Sequence, residues 1–224
     1  MKAFHKIVLT SAVVMLTTAG LYKIMSYDRW GAYYQNKLNE PAREFVVKTL
    51  QVIPTPHQAV AIDLGAGVGH ETLLLLEKGY HVKAVDNQKA AFDFMLKRPE
   101  IVKYKDRLTT ITSPFESLDL SQLPAADIII ASFSLPFCRP ENFDSFWISI
   151  VQKIKPGGYF IGNTFDPGFT AFAESDRMKM TFHTKAQTAA LFKGFKIFRL
   201  NEIRKEATTL GKYDHYYEIF AQKL

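Results

Sequence analysis

A glycine-rich turn between an apolar run and a helical pattern constrains the fold of this chain more than any other feature. The run from Ala59 to Leu64 has the length and composition of a short buried strand, and residues 63–69 read DLGAGVG. Residues Glu71 to Lys78 continue with helical spacing and stop at Gly79. Glycine at alternate positions lets the backbone approach a ligand with no Cβ in the way. A strand, a glycine turn and a helix in this order predict the nucleotide-binding start of an α/β fold.

A carboxylate follows the next predicted strand. His81 to Val85 form an apolar run, and Asp86 comes directly after it, roughly 20 positions beyond the first glycine of the turn. At that place a carboxylate can accept hydrogen bonds from both hydroxyls of an adenosine ribose. The turn departs from the dinucleotide fingerprint G-x-G-x-x-G, because the sixth position is His70. Turn and acid together indicate an adenosine-containing ligand and disfavour a dehydrogenase.

The rest of the chain alternates helical patterns with apolar runs, as in a largely parallel sheet. The last two strands have no helix between them, so they must pair antiparallel or lie apart. An amphipathic helix over 30–50, with Pro41 in a first turn, precedes the sheet. The other predicted helices are Lys89–Leu96, Asn142–Ile154 and Lys185–Lys193, and the other predicted strands are Leu108–Thr112, Ala126–Ala131, Tyr159–Asn163, Phe195–Ile203 and His215–Gln222.

Composition excludes several function classes. A chain of 224 residues with 47% hydrophobic residues has the size of one domain with a sizeable core. Its single cysteine, Cys138, excludes an intrachain disulfide and a zinc site of several cysteines, so we expect a structural thiol and no metal. The net charge is +6, but Lys and Arg are scattered and no nucleic-acid-binding module accompanies them. We therefore expect no nucleic-acid partner.

Several segments together resemble a known family. AIDLGAGVGHETLLLLEKGYHVKAVD is similar to the first two motifs of class I S-adenosylmethionine-dependent methyltransferases. ADIIIASFSLPFC, FDSFWISIVQKIKPGGYFIGNTF, TFHTKAQTAALFKGFKI and LGKYDHYYEIFAQK resemble a bacterial branch related to the tellurite-resistance type, and the similarity runs from roughly Tyr27 to Leu224. The resemblance implies a doubly wound, Rossmann-like α/β fold: a seven-stranded sheet, mostly parallel with an antiparallel last strand, with helices on both faces.

The resemblance also implies a cofactor, S-adenosylmethionine, with S-adenosylhomocysteine as the product. Asp63 would order the turn and approach the methionine amino group, and Asp86 would hold the ribose. Residues 114–116 would flank the adenine, and residues 132–134 would border the reacting methyl group. The cofactor-binding residues implied in this way are Asp63, Gly65, Ala66, Gly67, Gly69, Asp86, Asn87, Phe115, Glu116, Ser132 and Phe133.

The acceptor side is less defined. His183, His215 and Tyr216 lie in late segments predicted to fold over the strand ends, and they are the candidate catalytic or acceptor-binding groups. Each also fits an ordinary structural role in a core, a helix cap or a strand. We expect methyl transfer to a small molecule, because no segment supplies a further substrate domain. The alternatives are a protein or RNA methyltransferase and a non-catalytic, methyltransferase-like scaffold.

The first 25 residues differ from the methyltransferase domain expected over 26–224. Residues 7–22 carry no charge and follow Lys2 and Lys6, but the apolar stretch falls short of the ~20 residues that span a bilayer. The segment therefore fits a membrane anchor, a signal-like sequence or a mis-assigned start upstream of Met25. Secretion would separate the domain from the compartment that makes its cofactor. We expect a cytoplasmic protein, with a membrane tether through residues 1–25 left open.

Overall fold

The structure is a computed structural model, and it describes residues 31–206 and 211–224. The hydrophobic segment predicted over 1–25 and its boundary with the domain lie outside these residues. None of the helices in these two ranges combines the length and the hydropathy of a membrane-spanning segment. Pro41–Leu224 forms one compact unit, and the described residues 31–40 belong to another. In that other unit residues 31–37 are helical, and Lys37 pairs with Glu40 at 2.7 Å.

A seven-stranded sheet in the order β3-β2-β1-β4-β5-β7-β6 runs through the larger unit. The first five strands in this order, from β3 through β2, β1 and β4 to β5, pair parallel with their neighbours. β7 pairs antiparallel with both β5 and β6. This confirms the predicted topology. The strands are β1 Val60–Leu64, β2 His81–Asp86, β3 Leu108–Thr112, β4 Ala126–Ala131, β5 Ile154–Phe165, β6 Phe195–Glu206 and β7 Tyr213–Lys223.

Helices connect the parallel strands, and local sequence explains their ends. Pro140 occupies the first turn of its helix, and Thr184 and Gln187 form a reciprocal capping box. The α-helices in Pro41–Leu224 are α1 Glu44–Val52, α2 His70–Glu77, α3 Lys89–Met95, α4 Pro99–Val102, α5 Pro140–Lys153, α6 Glu174–Arg177 and α7 Lys185–Leu191. Single-turn 3₁₀ segments cover Lys105–Arg107, Phe115–Ser117, Leu120–Gln122 and Leu135–Phe137.

Both faces of the sheet are covered by apolar packing. Side chains of β4 alternate between two clusters: Ile129 packs with α5, and Ile128 and Ile130 pack with α1, α2 and α3. A strand buried on both faces reads as a continuous apolar run, which is why 126–131 could be recognised in the sequence. The two-sided packing confirms helices on both faces.

Several predicted boundaries were wrong. Pro41 lies three residues before α1 and outside its first turn, because 38–43 break the predicted long helix. β5 begins at Ile154 and runs through the Pro-Gly-Gly segment, because Ile154 already pairs with Ala126 before the register shifts. β6 and β7 each extend beyond their predicted ends, because they pair with each other along nearly their full length.

Phe160 lies at the centre of an aromatic group. Its side chain is fully buried, and its ring centroid is 5.3 Å from those of Trp147 and Phe192. We expect Phe160→Ala to lower the free energy of unfolding by about 3 to 5 kcal/mol in urea titrations, because the lost ring leaves a cavity. Phe198 is 46% exposed, so Phe198→Ala should cost less than about 1 kcal/mol. Equal losses in the two variants would contradict this assignment of the core.

Candidate active site

The glycine turn between β1 and α2 holds a backbone shape that other residues rarely adopt. Gly65, Gly67 and Gly69 have φ angles of 77°, 52° and 86°, all in the left-handed region. The N–H groups of Gly65 and Ala66 both donate to the Val85 carbonyl at 2.8 Å, so the turn is fixed to the end of β2. Gly65, Ala66, Gly67 and Gly69 therefore lie together at the ends of β1 and β2.

Ser134, the third residue after β4, packs directly on this turn. A Cβ at Gly65 would lie 2.2 Å from the Ser134 Cβ, and the Ser134 hydroxyl donates to the Leu64 carbonyl. Gly65 is therefore required by a close approach as well as by its φ angle. The contact places the ends of β1 and β4 side by side.

Asp86 ends β2 beside the turn, and its side chain is largely buried. One carboxylate oxygen accepts the Gly67 N–H and the other accepts the Gln88 N–H, each at 2.9 Å. These two donors fix the plane of the carboxylate against the glycine turn. Asn87, predicted beside it, is exposed at the same strand end.

Asp63 lies in β1 and is almost completely buried. The Thr72 hydroxyl donates to its carboxyl group at 2.6 Å. Burial, followed by the nearby charges of Glu71 and Asp86, raises the pKa of Asp63 to about 8, although the Thr72 hydrogen bond opposes this shift. The carboxyl group is therefore mostly protonated at neutral pH in the protein without a ligand.

The loop after β4 has an unusual backbone. Phe133 has a φ angle of 53°, which is uncommon for a residue with a side chain, and the buried amide oxygen of Asn163 accepts its N–H at 3.3 Å. The Arg43 guanidinium lies 3.8 Å from the centre of the Phe133 ring. The hydroxyl oxygen of Ser132 is buried without a hydrogen-bond partner among the described residues.

Phe115 and Glu116 follow β3 but contact the region of α5. The Phe115 ring stacks on Phe146 with centroids 4.8 Å apart, and Glu116 accepts the N–H of Arg139 at 3.1 Å. Both residues therefore lie at the carboxyl edge of the sheet, where parallel strands of doubly wound folds present their ligand sites. Within the described residues, the ring stacking of Phe115 and the hydrogen bond of Glu116 are therefore made with the start and middle of α5 and not with the glycine turn.

The three catalytic candidates have different surroundings. Both ring nitrogens of His215 face carboxylates: Nδ1 is 3.1 Å from Asp166, and Nε2 is 2.9 Å from Glu202. His183 packs on Phe143, and burial lowers its pKa, so the neutral imidazole is favoured. Its Nδ1 has no hydrogen-bond partner in the described part of the chain.

Tyr216 lies in β7 beside the end of β5, and its ring centroid is 4.7 Å from that of Phe133. Burial raises the pKa of its phenol, so the group stays neutral at physiological pH. It belongs to an aromatic cluster at the carboxyl edge, whose buried members include Phe165 and Phe169. Tyr216 thus lies close to the loop after β4.

Sequence reasoning missed Thr72, Asn163 and Arg43. Thr72 could have been found, because position three of α2 faces back towards β1. The roles of Asn163 and Arg43 depend on contacts across the sheet, for which the sequence carries no local signal. Cys138 is buried and its pKa is raised to about 12 by burial, which agrees with a structural thiol. The described residues hold no group of three His, Cys, Asp or Glu side chains suited to a metal ion.

The close approach at Gly65 predicts a large effect of a single methyl group. Gly65→Ala should lower the free energy of unfolding by about 2 to 4 kcal/mol in urea titrations, from left-handed strain plus the clash with Ser134. Gly194 has a φ of 87° and open space around it, so Gly194→Ala should show the strain alone, about 1 kcal/mol. Adding Ser134→Gly to Gly65→Ala should recover part of the loss. No recovery would contradict the clash.

The raised pKa of Asp63 predicts how stability depends on pH. Between about pH 4 and 8 the unfolded chain releases this proton and the native protein keeps it, so stability falls as pH rises, by about 1.4 kcal/mol per pH unit at most. Asp63→Asn should remove this component in urea titrations across that range. Asp93→Asn, at an exposed ion pair with Lys89, should leave the slope unchanged. Identical slopes in wild type and Asp63→Asn would refute the raised pKa.

Comparisons with known proteins agree with this geometry. Among solved structures, TehB from Haemophilus influenzae is similar with a TM-score of 0.68 and 17% identity, over 87% of this chain and 67% of that one. The 1,6-didemethyltoxoflavin-N1-methyltransferase of Burkholderia thailandensis, solved with S-adenosylhomocysteine, is similar with a TM-score of 0.60 and 20% identity, over 91% and 89%. An S-adenosylmethionine-dependent methyltransferase from Mesorhizobium loti is similar with a TM-score of 0.59 and 17% identity, over 79% of this chain and 96% of that one.

These similarities confirm the fold, and the ligands named for such neighbours support the predicted cofactor. No curated protein sequence matches the chain. The family model described as tellurite resistance protein TehB matches residues 27–202, which is most of the chain. The expected resemblance to the tellurite-resistance branch of class I methyltransferases is therefore confirmed, and the chain belongs to the TehB family.

Proposed function

We propose that this protein transfers a methyl group from S-adenosylmethionine to a small-molecule acceptor. The observation that carries the proposal is the direct contact of three features at one edge of the sheet. The left-handed glycine turn, the Asp86 carboxylate bonded to its Gly67 N–H, and Ser134 packed on Gly65 meet there. Family and fold support methyl transfer in general.

The residues present fit this cofactor. The turn presents backbone where a side chain at Gly65 would collide, and the buried Ser132 hydroxyl has no partner among the described residues. A buried hydroxyl without a partner costs free energy, and a ligand atom at the strand end would satisfy it. When bound, S-adenosylmethionine supplies a methyl group on a positively charged sulfur.

Each residue of the edge has a proposed task. Asp86 accepts hydrogen bonds from the ribose hydroxyls, with Asn87 beside it. Asp63 orders the turn and accepts a hydrogen bond from the amino group of the methionine part. Phe115 and Glu116 flank the adenine. Ser132 and Phe133 border the reacting methyl group, where the aromatic face of Phe133 excludes water.

Positioning supplies most of the proposed rate enhancement, since holding the acceptor in line with the sulfur can lower the barrier by about 7 kcal/mol or more. His215 is a poor general base, because carboxylates stand at both of its ring nitrogens. We therefore assign it to holding the loop after β5, while Tyr216 lines the acceptor side. His183, favoured in its neutral form, stays the candidate for removing a proton from acceptors that carry one.

Two observations support a small acceptor. The carboxyl edge carries a compact aromatic cluster with Phe133 and Tyr216, suited to apolar surfaces of limited size. The Burkholderia neighbour is named as a methyltransferase of a small heterocyclic compound, and this chain spans 89% of it. We propose the same class of partner here, without a nucleic-acid substrate.

Binding of S-adenosylhomocysteine to the full-length protein tests the cofactor site. We expect micromolar affinity by calorimetry, weakened about tenfold or more in Asp86→Asn, because the neutral amide is a weaker acceptor for two hydroxyls. Asp93→Asn should bind like wild type. Transfer of label from methyl-labelled S-adenosylmethionine into the small-molecule fraction of a bacterial extract tests the acceptor class.

The outcomes separate the parts of the proposal. Absence of binding by the folded wild type would refute the cofactor. Equal affinity in Asp86→Asn would refute the role of that carboxylate. Label found only in protein or RNA would refute the small acceptor, and binding without any transfer would leave a scaffold.

A further inference from the structure

The glycine turn is held from two sides. On its inner side it bonds to β2 through Val85 and Asp86. On its outer side it meets the segment from the end of α3 to α4. A Cβ at Gly69 would lie 2.8 Å from both the Met95 Cγ and the Ile101 Cδ1, so this segment touches the backbone of the turn. The proposed function gives the inner side its task and leaves the outer side unassigned.

Arg98, directly before α4, makes the polar contacts of this outer side. Its guanidinium donates to the Val68 carbonyl at 2.8 Å, and the same nitrogen lies 3.3 Å from His70 Nδ1. Its Nε donates to Glu100 at 2.9 Å, and only 13% of the side chain is exposed. One planar group thus joins the turn, the start of α2 and the start of α4.

Helix stability does not explain a cation at this place. The start of α2 is the positive end of the helix dipole, where a guanidinium is unfavourable. The bond to Val68 instead fixes a peptide plane, because the carbonyl and the following N–H, which belongs to Gly69, lie in one rigid unit. That N–H donates to the Ala66 carbonyl at 2.9 Å. Arg98 therefore acts on the conformation of the turn itself.

We infer that Arg98 is a positioning residue for the cofactor turn. It holds the Val68 carbonyl, and through it the backbone of 66–69, in the shape that receives the ligand. This inference rests on the proposed function for its ligand, S-adenosylhomocysteine or S-adenosylmethionine. The clamp, by which we mean the hydrogen bond from Arg98 to the Val68 carbonyl, is a property of the unliganded protein. Lysine can supply a charge and one donor but cannot reproduce the planar fork.

The test compares arginines that make the same kind of bond in two places. Arg107 donates to the Tyr80 carbonyl at 3.2 Å, at the opposite edge of the sheet. Full-length Arg98→Met, Arg98→Lys and Arg107→Met are titrated with S-adenosylhomocysteine by calorimetry. Amide spectra of the unliganded proteins record the resonances of Gly67 and Gly69.

We expect Arg98→Met to bind roughly ten- to a hundredfold more weakly, the range for loss of a hydrogen bond to a charged group. Its Gly67 and Gly69 resonances should shift, Arg98→Lys should fall between it and wild type, and Arg107→Met should match wild type in both readouts.

Unchanged affinity and unchanged glycine resonances in Arg98→Met would overturn the inference. An equal loss of affinity in Arg107→Met would also overturn it, because a general loss of stability would then explain the weaker binding. If wild type binds no S-adenosylhomocysteine, the proposed function fails, and the glycine resonances alone decide whether the clamp exists. If Arg98→Met does not fold, Arg98→Lys supplies the comparison, and wild-type behaviour in both readouts would then overturn the inference.

Discussion

The contact between the Ser134 side chain and the backbone of Gly65 joins the two central strands at the edge where the proposed ligand binds. β1 and β4 are neighbours in the sheet but far apart in the sequence, and the chain leaves both strands at this point. Because the two loops touch, the conformation of one limits the conformation of the other. The left-handed Phe133, held by Asn163, follows from the same constraint, since Ser134 must reach back over the turn.

Acids and arginines lie side by side at this edge of a chain that is basic as a whole. Glu71 and Asp86 lie near enough to Asp63 to add to the effect of burial in raising its pKa, so the Asp63 carboxyl takes up a proton. An amino group or a sulfonium entering the edge would meet these carboxyl groups, whereas the guanidinium groups of Arg98 and Arg43 face the Val68 carbonyl and the Phe133 ring. The net charge of +6 is therefore not a measure of the charge at this edge.

The sequence was informative where a short stretch of chain determines its own structure. The turn at 63–69, the apolar run of β4 and the acid ending β2 each carry a local pattern, and the structure places all of them as predicted. The long pairing of β6 with β7 and the early start of β5 depend on partners, so their limits were underestimated. The same distinction holds in the site. Asp86 is recognisable from its position after a strand, whereas Arg98 and Asn163 matter through distant carbonyls and N–H groups, which periodicity does not reveal.

The place of β7 between β5 and β6 has a consequence for how the protein forms. β7 is an inner strand of the sheet although it follows both of its neighbours in the sequence. Its first residues also hold the loop after β5: Asp166 donates its N–H to the His215 carbonyl, and Tyr213 and Thr170 hydrogen-bond to each other. On the ribosome, this side of β5 therefore stays unpaired until β7 emerges. The cofactor turn, completed earlier in synthesis, would precede the acceptor side, and loss of β7 residues would remove pairing in the middle of the sheet.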